Sequence, residues 1–212
     1  NETRIRQHTN AAQAADHAGV KFIAYTSLAN ATESKNIMAP PHVATEAAII
    51  KTGIPYSFLR NNWYLENEIG SIQGAMAGAP WVTSAGEGKV GWALQQDYAD
   101  AAAAVLVGSG HENTVYELSG PLLTQEELAS ALGNVLGKEV PVQQVSDEKY
   151  AEIMKGLGLP DFVIPIVVGI QESIRNGSLE VESNDFKKIL GRPVAPINEL
   201  LTQLVNAISQ TK

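Results

Sequence analysis

Six side chains have the types and positions to do chemistry: Ser27, His42, Asn61, Asn62, Trp63 and Tyr64. The Asn62 amide can donate to an oxygen on which negative charge builds, and preorganised donors of that kind lower a barrier electrostatically. The rings of Trp63 and Tyr64 can stack on a flat ligand. The Ser27 hydroxyl can hydrogen-bond a sugar or phosphate oxygen. His42 falls near the amino end of a predicted helix, where the macrodipole disfavours imidazolium and leaves a neutral, hydrogen-bonding ring. Four have a plainer reading as well: Asn62 as a turn asparagine, Trp63 as a core aromatic, Ser27 as a turn former, and His42 as a capping histidine. His42 and Glu46, at i and i+4, could also form a simple surface pair. Gln7 and His8 read as helix-face residues, and His17 and His111 carry no case for chemistry. The chain has no cysteine, and no carboxylate–histidine cluster suggests a metal.

The elements that must position these residues follow from periodicity and punctuation. Residues 3–18 read as a helix stopped at Gly19, and Val20 to Thr26 as a short β-rich run ending at Ser27. Pro40-Pro41 suit a first helical turn, and Val43, Ala47 and Ile50 make an apolar stripe that Thr52-Gly53 ends. Ile54 to Leu59 reads as a second, buried strand. Helix, strand, helix, strand with short connections predicts an α/β fold with a parallel sheet, whose ligands bind at the carboxyl ends of the strands. That edge carries Thr26-Ser27 and Arg60 to Tyr64. Further on, Tyr98 to Val107 reads as an Ala-rich helix capped by Asp97, and Val115 to Leu118 as a third strand. Thr124-Gln125-Glu126-Glu127 resembles a capping box opening a helix to about Leu136. Beyond it the chain reads as mostly helical, with one strand from Val140 to Val145. The apolar run from Pro160 to Val168 reads as core in preference to a pocket wall.

Gly86-Glu87-Gly88-Lys89-Val90-Gly91 matches G-x-G-x-x-G literally. In a dinucleotide fingerprint the third glycine lies inside the starting helix. Here Trp92-Ala93-Leu94 follow it, so the stretch reads as a Gly-rich hairpin.

Composition excludes several function classes. The 212 residues are 44% hydrophobic and 18% charged, as in an ordinary globular protein. A net charge of −8 without any basic cluster argues against nucleic-acid binding, which needs a basic footprint. No apolar run reaches the roughly 18–20 residues that span a bilayer. The polar start NETRIRQH lacks the apolar core of a secretory signal. With no cysteine, the expected setting is the cytoplasm, with no membrane partner.

Four stretches resemble the NmrA-like branch of the short-chain dehydrogenases. They are Gln7-His8-x-Asn10 with Ala18 to Ser27, His42-x-x-Thr45-Glu46, Leu59 to Asn67, and Asp97-Tyr98-Ala99. Within that branch the chain is most similar to the type 2 NAD(P)H:quinone oxidoreductases, with the triphenylmethane dye reductases next. The resemblance implies the carboxyl-terminal part of a Rossmann-like parallel sheet, residues 1–120, joined to a smaller, mostly helical substrate region, residues 121–212. It also implies that such proteins begin with a Gly-rich loop and the first strands of the sheet, which this sequence does not contain. Three strands are too few to make a doubly wound sheet alone.

The implied cofactor is NADPH, bound by Ser27, His42, Asn61, Asn62, Trp63 and Tyr64, with Asn62 and His42 in catalytic roles. The implied reaction is hydride transfer to a quinone or similar electron-poor acceptor. Aligned on Glu46, His42 stands where typical relatives have the lysine of Tyr-x-x-x-Lys, and Met38 where they have the tyrosine. A ketone would suffer from that loss, because its alkoxide needs a proton in the transition state. A quinone yields a weaker base, an aromatic hydroquinone anion, which can take its proton from water. The missing pair equally suits a non-enzymatic NADP(H)-sensing regulator, and an inactive truncated form is a third reading. A homodimer is compatible with all of them.

Overall fold

The computed structural model describes residues 2–210; the outer ends of the two expected regions, residues 1, 211 and 212, lie outside them. The chain opens with α1 (Glu2–His17), β1 (Ile23–Leu28), α2 (Ala39–Thr52) and β2 (Tyr56–Asn61). Next come β3 (Trp63–Tyr64), a 3-10 turn (Leu65–Glu68), α3 (Ile69–Met76), β4 (Trp81–Thr83) and β5 (Lys89–Ala93). Then follow α4 (Gln95–Val107), β6 (Thr114–Leu118), β7 (Leu122–Thr124), α5 (Gln125–Leu136) and β8 (Val142–Gln144). The helices α6 (Asp147–Gly156), α7 (Ile164–Arg175), α8 (Asp185–Leu190) and α9 (Ile197–Gln210) complete the described chain.

The predicted α/β architecture is present. Strands β1, β2 and β6 form a parallel sheet in that order, in a register that aligns Ser27, Arg60 and Glu117 in one row. Paired residues share a face and neighbours along a strand alternate. Phe58 therefore packs with Ala12 of α1 and Ile49 of α2, while Leu59 packs with Tyr98, Ala101 and Val105 of α4. Two smaller sheets extend the fold. Strand β5 pairs parallel with β3 and antiparallel with β7, and β4 pairs parallel with β8. The larger core cluster is continuous from Leu59 and Leu118 to Leu128, Leu132, Leu200 and Leu204.

Local signals explain many boundaries. Gly53 ends α2 in the left-handed conformation, and Thr124 and Glu127 form both halves of a capping box on α5. Other expectations are corrected. Asp97 lies inside the first turn of α4 and does not cap it; the Glu66 carboxylate accepts the Gln95 N–H at 2.9 Å, and Asp97 pairs with Arg192 at 2.9 Å. The Gly86–Gly91 stretch binds no helix start, and it is not a hairpin either, because β4 and β5 pair with different partners. Its glycines serve close approach: a Cβ at Gly88 would strike the Ile174 carbonyl, and one at Gly91 would strike the Ser119 hydroxyl. The Pro160–Val168 run is not core. Phe162 is 77% exposed, and Val167 faces a cavity. Among the described residues no helix is long and apolar enough to cross a membrane.

Candidate active site

At the carboxyl ends of β1 and β2 lies a cavity of about 580 Å³. Ser27, His42, Asn61, Asn62, Trp63 and Tyr64 all line it, brought together from β1, α2, β2, β3 and the Asn62 link between the last two. Its far wall comes from α6 and α7, through Tyr150, Val167, Ile170 and Gln171. A larger groove of about 900 Å³ elsewhere contains none of the six and is lined by carboxylates such as Glu180, Glu182 and Asp185.

Hydrogen bonds decide what each side chain can offer. The Ser27 hydroxyl donates to Glu46 at 2.6 Å, and Glu46 takes a two-pronged grip from Arg60, at 3.0 and 2.7 Å. Arg60 also reaches Glu117 at 3.2 Å, so three strands and α2 are clamped by one buried ion network. Glu46 thus faces the sheet and is not the surface partner of His42.

His42 is held by Tyr25 Oη on Nδ1 at 2.9 Å and by Arg4 on Nε2 at 3.2 Å. A guanidinium can only donate, so Nε2 accepts and Nδ1–H donates to Tyr25. The ring is neutral: its pKa is lowered to about 4, first by burial and then by the Arg4 charge. The helix dipole invoked from sequence acts in the same direction, but burial is the leading cause.

Asn62 is the clearest change of role. Its amide donates to the Leu179 carbonyl at 2.9 Å and to the Ser119 hydroxyl at 3.1 Å, so it is not free to reach an acceptor oxygen. Its Oδ1 is buried without a partner, as is Oδ1 of Asn61. The Asn61 amide donates to Tyr64 Oη at 3.0 Å, which leaves the Tyr64 hydroxyl proton for the cavity. Trp63 is 9% exposed and belongs mainly to the core, whereas Tyr64 is half-buried and packs edge-on against Tyr98.

Four lining residues escaped the sequence reading: Arg4, Glu68, Tyr150 and Gln171. Glu68 is partly buried, accepts the Trp92 indole N–H at 3.2 Å, and has its pKa raised to about 7 by burial, against the opposing effect of the Trp92 and Trp63 indoles. Burial pushes the Tyr150 hydroxyl up to about 12, with the Glu68 charge adding to it. An acid just before an apolar helix, in Glu66-Asn67-Glu68-Ile69, was the only local sign of Glu68. The other three arrive by tertiary contact and leave no local sign.

The NmrA-like family model matches residues 1–189. The chain is 39% identical over 204 residues to quinone oxidoreductase 2 of Escherichia coli (strain K12), spanning 96% of this chain and 71% of that protein. Among solved structures, the NADPH-dependent quinone oxidoreductase of Escherichia coli complexed with NADPH superposes with a TM-score of 0.89 at 38% identity, covering 94% of this chain and 71% of that one. Triphenylmethane reductase of Citrobacter sp. complexed with NADP(H) gives 0.89 at 39% identity, covering 94% of this chain and 70% of that one.

Proposed function

The chain belongs to the NmrA-like family, and from that premise we propose that it is an NADPH-dependent oxidoreductase reducing a quinone or similar electron-poor acceptor in the cavity of Asn61, Asn62 and Tyr64. The observation that carries the reading is the pair of buried, unpartnered oxygens, Oδ1 of Asn61 and of Asn62. A buried acceptor without a donor is costly unless a ligand supplies one. The carboxamide N–H groups of a nicotinamide are donors of the right kind, so the residues present fit that group.

When bound, reduced nicotinamide supplies a hydride; the chain's own residues do the rest. Asn61 and Asn62 hold the carboxamide and so fix which ring face meets the acceptor. Arg4 and neutral His42, locked together, bind the ribose side. Tyr64, whose oxygen already accepts from Asn61, gives a hydrogen bond to the acceptor oxygen as charge gathers there. Apolar Val167 and Ile170 exclude water beside a flat ring. Helices α6 and α7, within the region expected to hold the acceptor, serve as the acceptor-side wall. A regulatory role without turnover has only the missing Tyr–Lys pair behind it.

The test is oxidation of NADPH by benzoquinones and naphthoquinones, followed by loss of nicotinamide absorbance. Turnover is expected, and Tyr64→Phe should lower kcat by roughly 10²-fold, the scale of one lost oxyanion donor. NADPH binding without oxidation by any quinone would sink the proposal.

A further inference from the structure

We propose that Glu68 is a built-in proton donor of this site, delivering its carboxyl proton to the reduced acceptor; this rests on the function proposed above. Three features of the molecule converge on it. Glu68 ends the 3-10 turn that follows the Asn61–Tyr64 stretch and lines the same cavity as Asn61, Asn62 and Tyr64. Its carboxyl is aimed, not wandering: the Trp92 indole, itself 1% exposed, gives its N–H to Oε1 at 3.2 Å. The Trp63 indole acts on the same carboxyl, so the group is held from two sides where it lines the cavity. The side chain is also partly solvent-accessible, so a proton given away can be replaced from water.

The charged and titratable groups facing it across the cavity are Arg4 from α1, His42 from α2, Tyr64 from β3 and Tyr150 from α6. Of these, His42, Tyr150 and Arg4 are no better acids at neutral pH. His42 is neutral and its one N–H points at Tyr25, Tyr150 is held up near 12, and Arg4 does not deprotonate. Burial raises Glu68 to about 7, into the range where a group can both give and regain a proton near neutral pH.

The step balances simply. A quinone that has taken a hydride, two electrons and one proton from the reduced nicotinamide, is a hydroquinone monoanion. The Glu68 O–H bond breaks, a phenolic O–H bond forms, and the carboxylate recovers a proton from solvent. Each turnover thus consumes one nicotinamide hydride and one solvent proton. The proton expected from bulk water is then relayed through a fixed carboxyl.

The experiment pairs a pH profile of kcat with infrared detection of the protonated carboxyl in the cofactor-free protein. In the wild type kcat should fall as pH rises through about 7, and the carboxylic C=O band should fade over the same range. Glu68→Gln should abolish band and limb alike and lower kcat by roughly 10²-fold. Trp92→Phe removes a donor that favours the carboxylate, so both midpoints should move to higher pH. An active enzyme whose Glu68→Gln profile matches the wild type, or a band already gone at pH 5, overturns the proposal alone. A folded wild type that oxidises NADPH with no quinone overturns the function proposed above, and this inference with it.

Discussion

At the scale of single residues, His42 shows how burial turns a titratable group into a fixed one. Its folded pKa of about 4 lies below the ordinary 6.5, so in the folded chain it refuses a proton that the unfolded chain accepts. The stability this represents is complete above about 6.5 and is lost as pH falls towards 4. Allowing for partial exposure, the loss is of order 2 kcal/mol. Glu68 runs the other way, with stability falling as pH rises from its ordinary 4.5 to about 7. The difference between variant and wild type isolates His42: His42→Gln should flatten the acid side of a urea-denaturation profile and leave pH 8 almost unchanged. An equal acid slope in both proteins would show that the ring is freely solvated. The six residues named from sequence meet in one cavity because they sit at strand ends and a helix start, which pattern reveals. What they do there was less legible. The Asn62 amide is claimed by Leu179, 117 positions away, and no local spacing announces such a bond.

At the scale of elements, close backbone approach governs how the smaller sheet packs. Strands β5 and β7 and the turn between β6 and β7 close up because Gly91 and Gly120 have no Cβ; one at Gly120 would strike the Trp92 carbonyl oxygen. Gly120→Ala should therefore cost about 3 kcal/mol or more, since a backbone atom cannot step aside as a side chain does. Gly70→Ala, in α3 with open space around it, should instead be neutral or stabilising by about 0.5–1 kcal/mol. Urea midpoints of the two variants measure both; equal losses would remove the close-approach account. The long elements were legible in the sequence because each carries its own punctuation, as Thr124 with Glu127 and Gly53 do. The short strands β3 and β7 were not. Two or three residues hold too little periodicity, and the pairing of β4 with β8 depends on chain returning from far away.

At the scale of the molecule, the cavity is a seam. One side is built from β1, β2 and α2, and the other from α6 and α7, through Tyr150 and Gln171. A ligand held by both sides stabilises the folded chain as a whole. At a hundred times its Kd, NADPH should add about 2.7 kcal/mol, a rise of roughly 5–10 °C in Tm. A thermal scan with and without NADPH reads this directly, and no shift at high concentration would show that the folded chain does not hold the cofactor.

The Asn62–Leu179 bond sets an order of events during synthesis. A growing polypeptide can lay down the sheet, α2 and most of the lining residues while its later part is still being made. Until residue 179 has emerged, however, the Asn62 amide has no carbonyl to hold it and α7 is not yet docked behind it. Early chains thus own nearly every residue of the site without owning the site. Competence arrives only once residue 179 has emerged, so tight cofactor binding doubles as a report that α7 and the segment after it have reached their places.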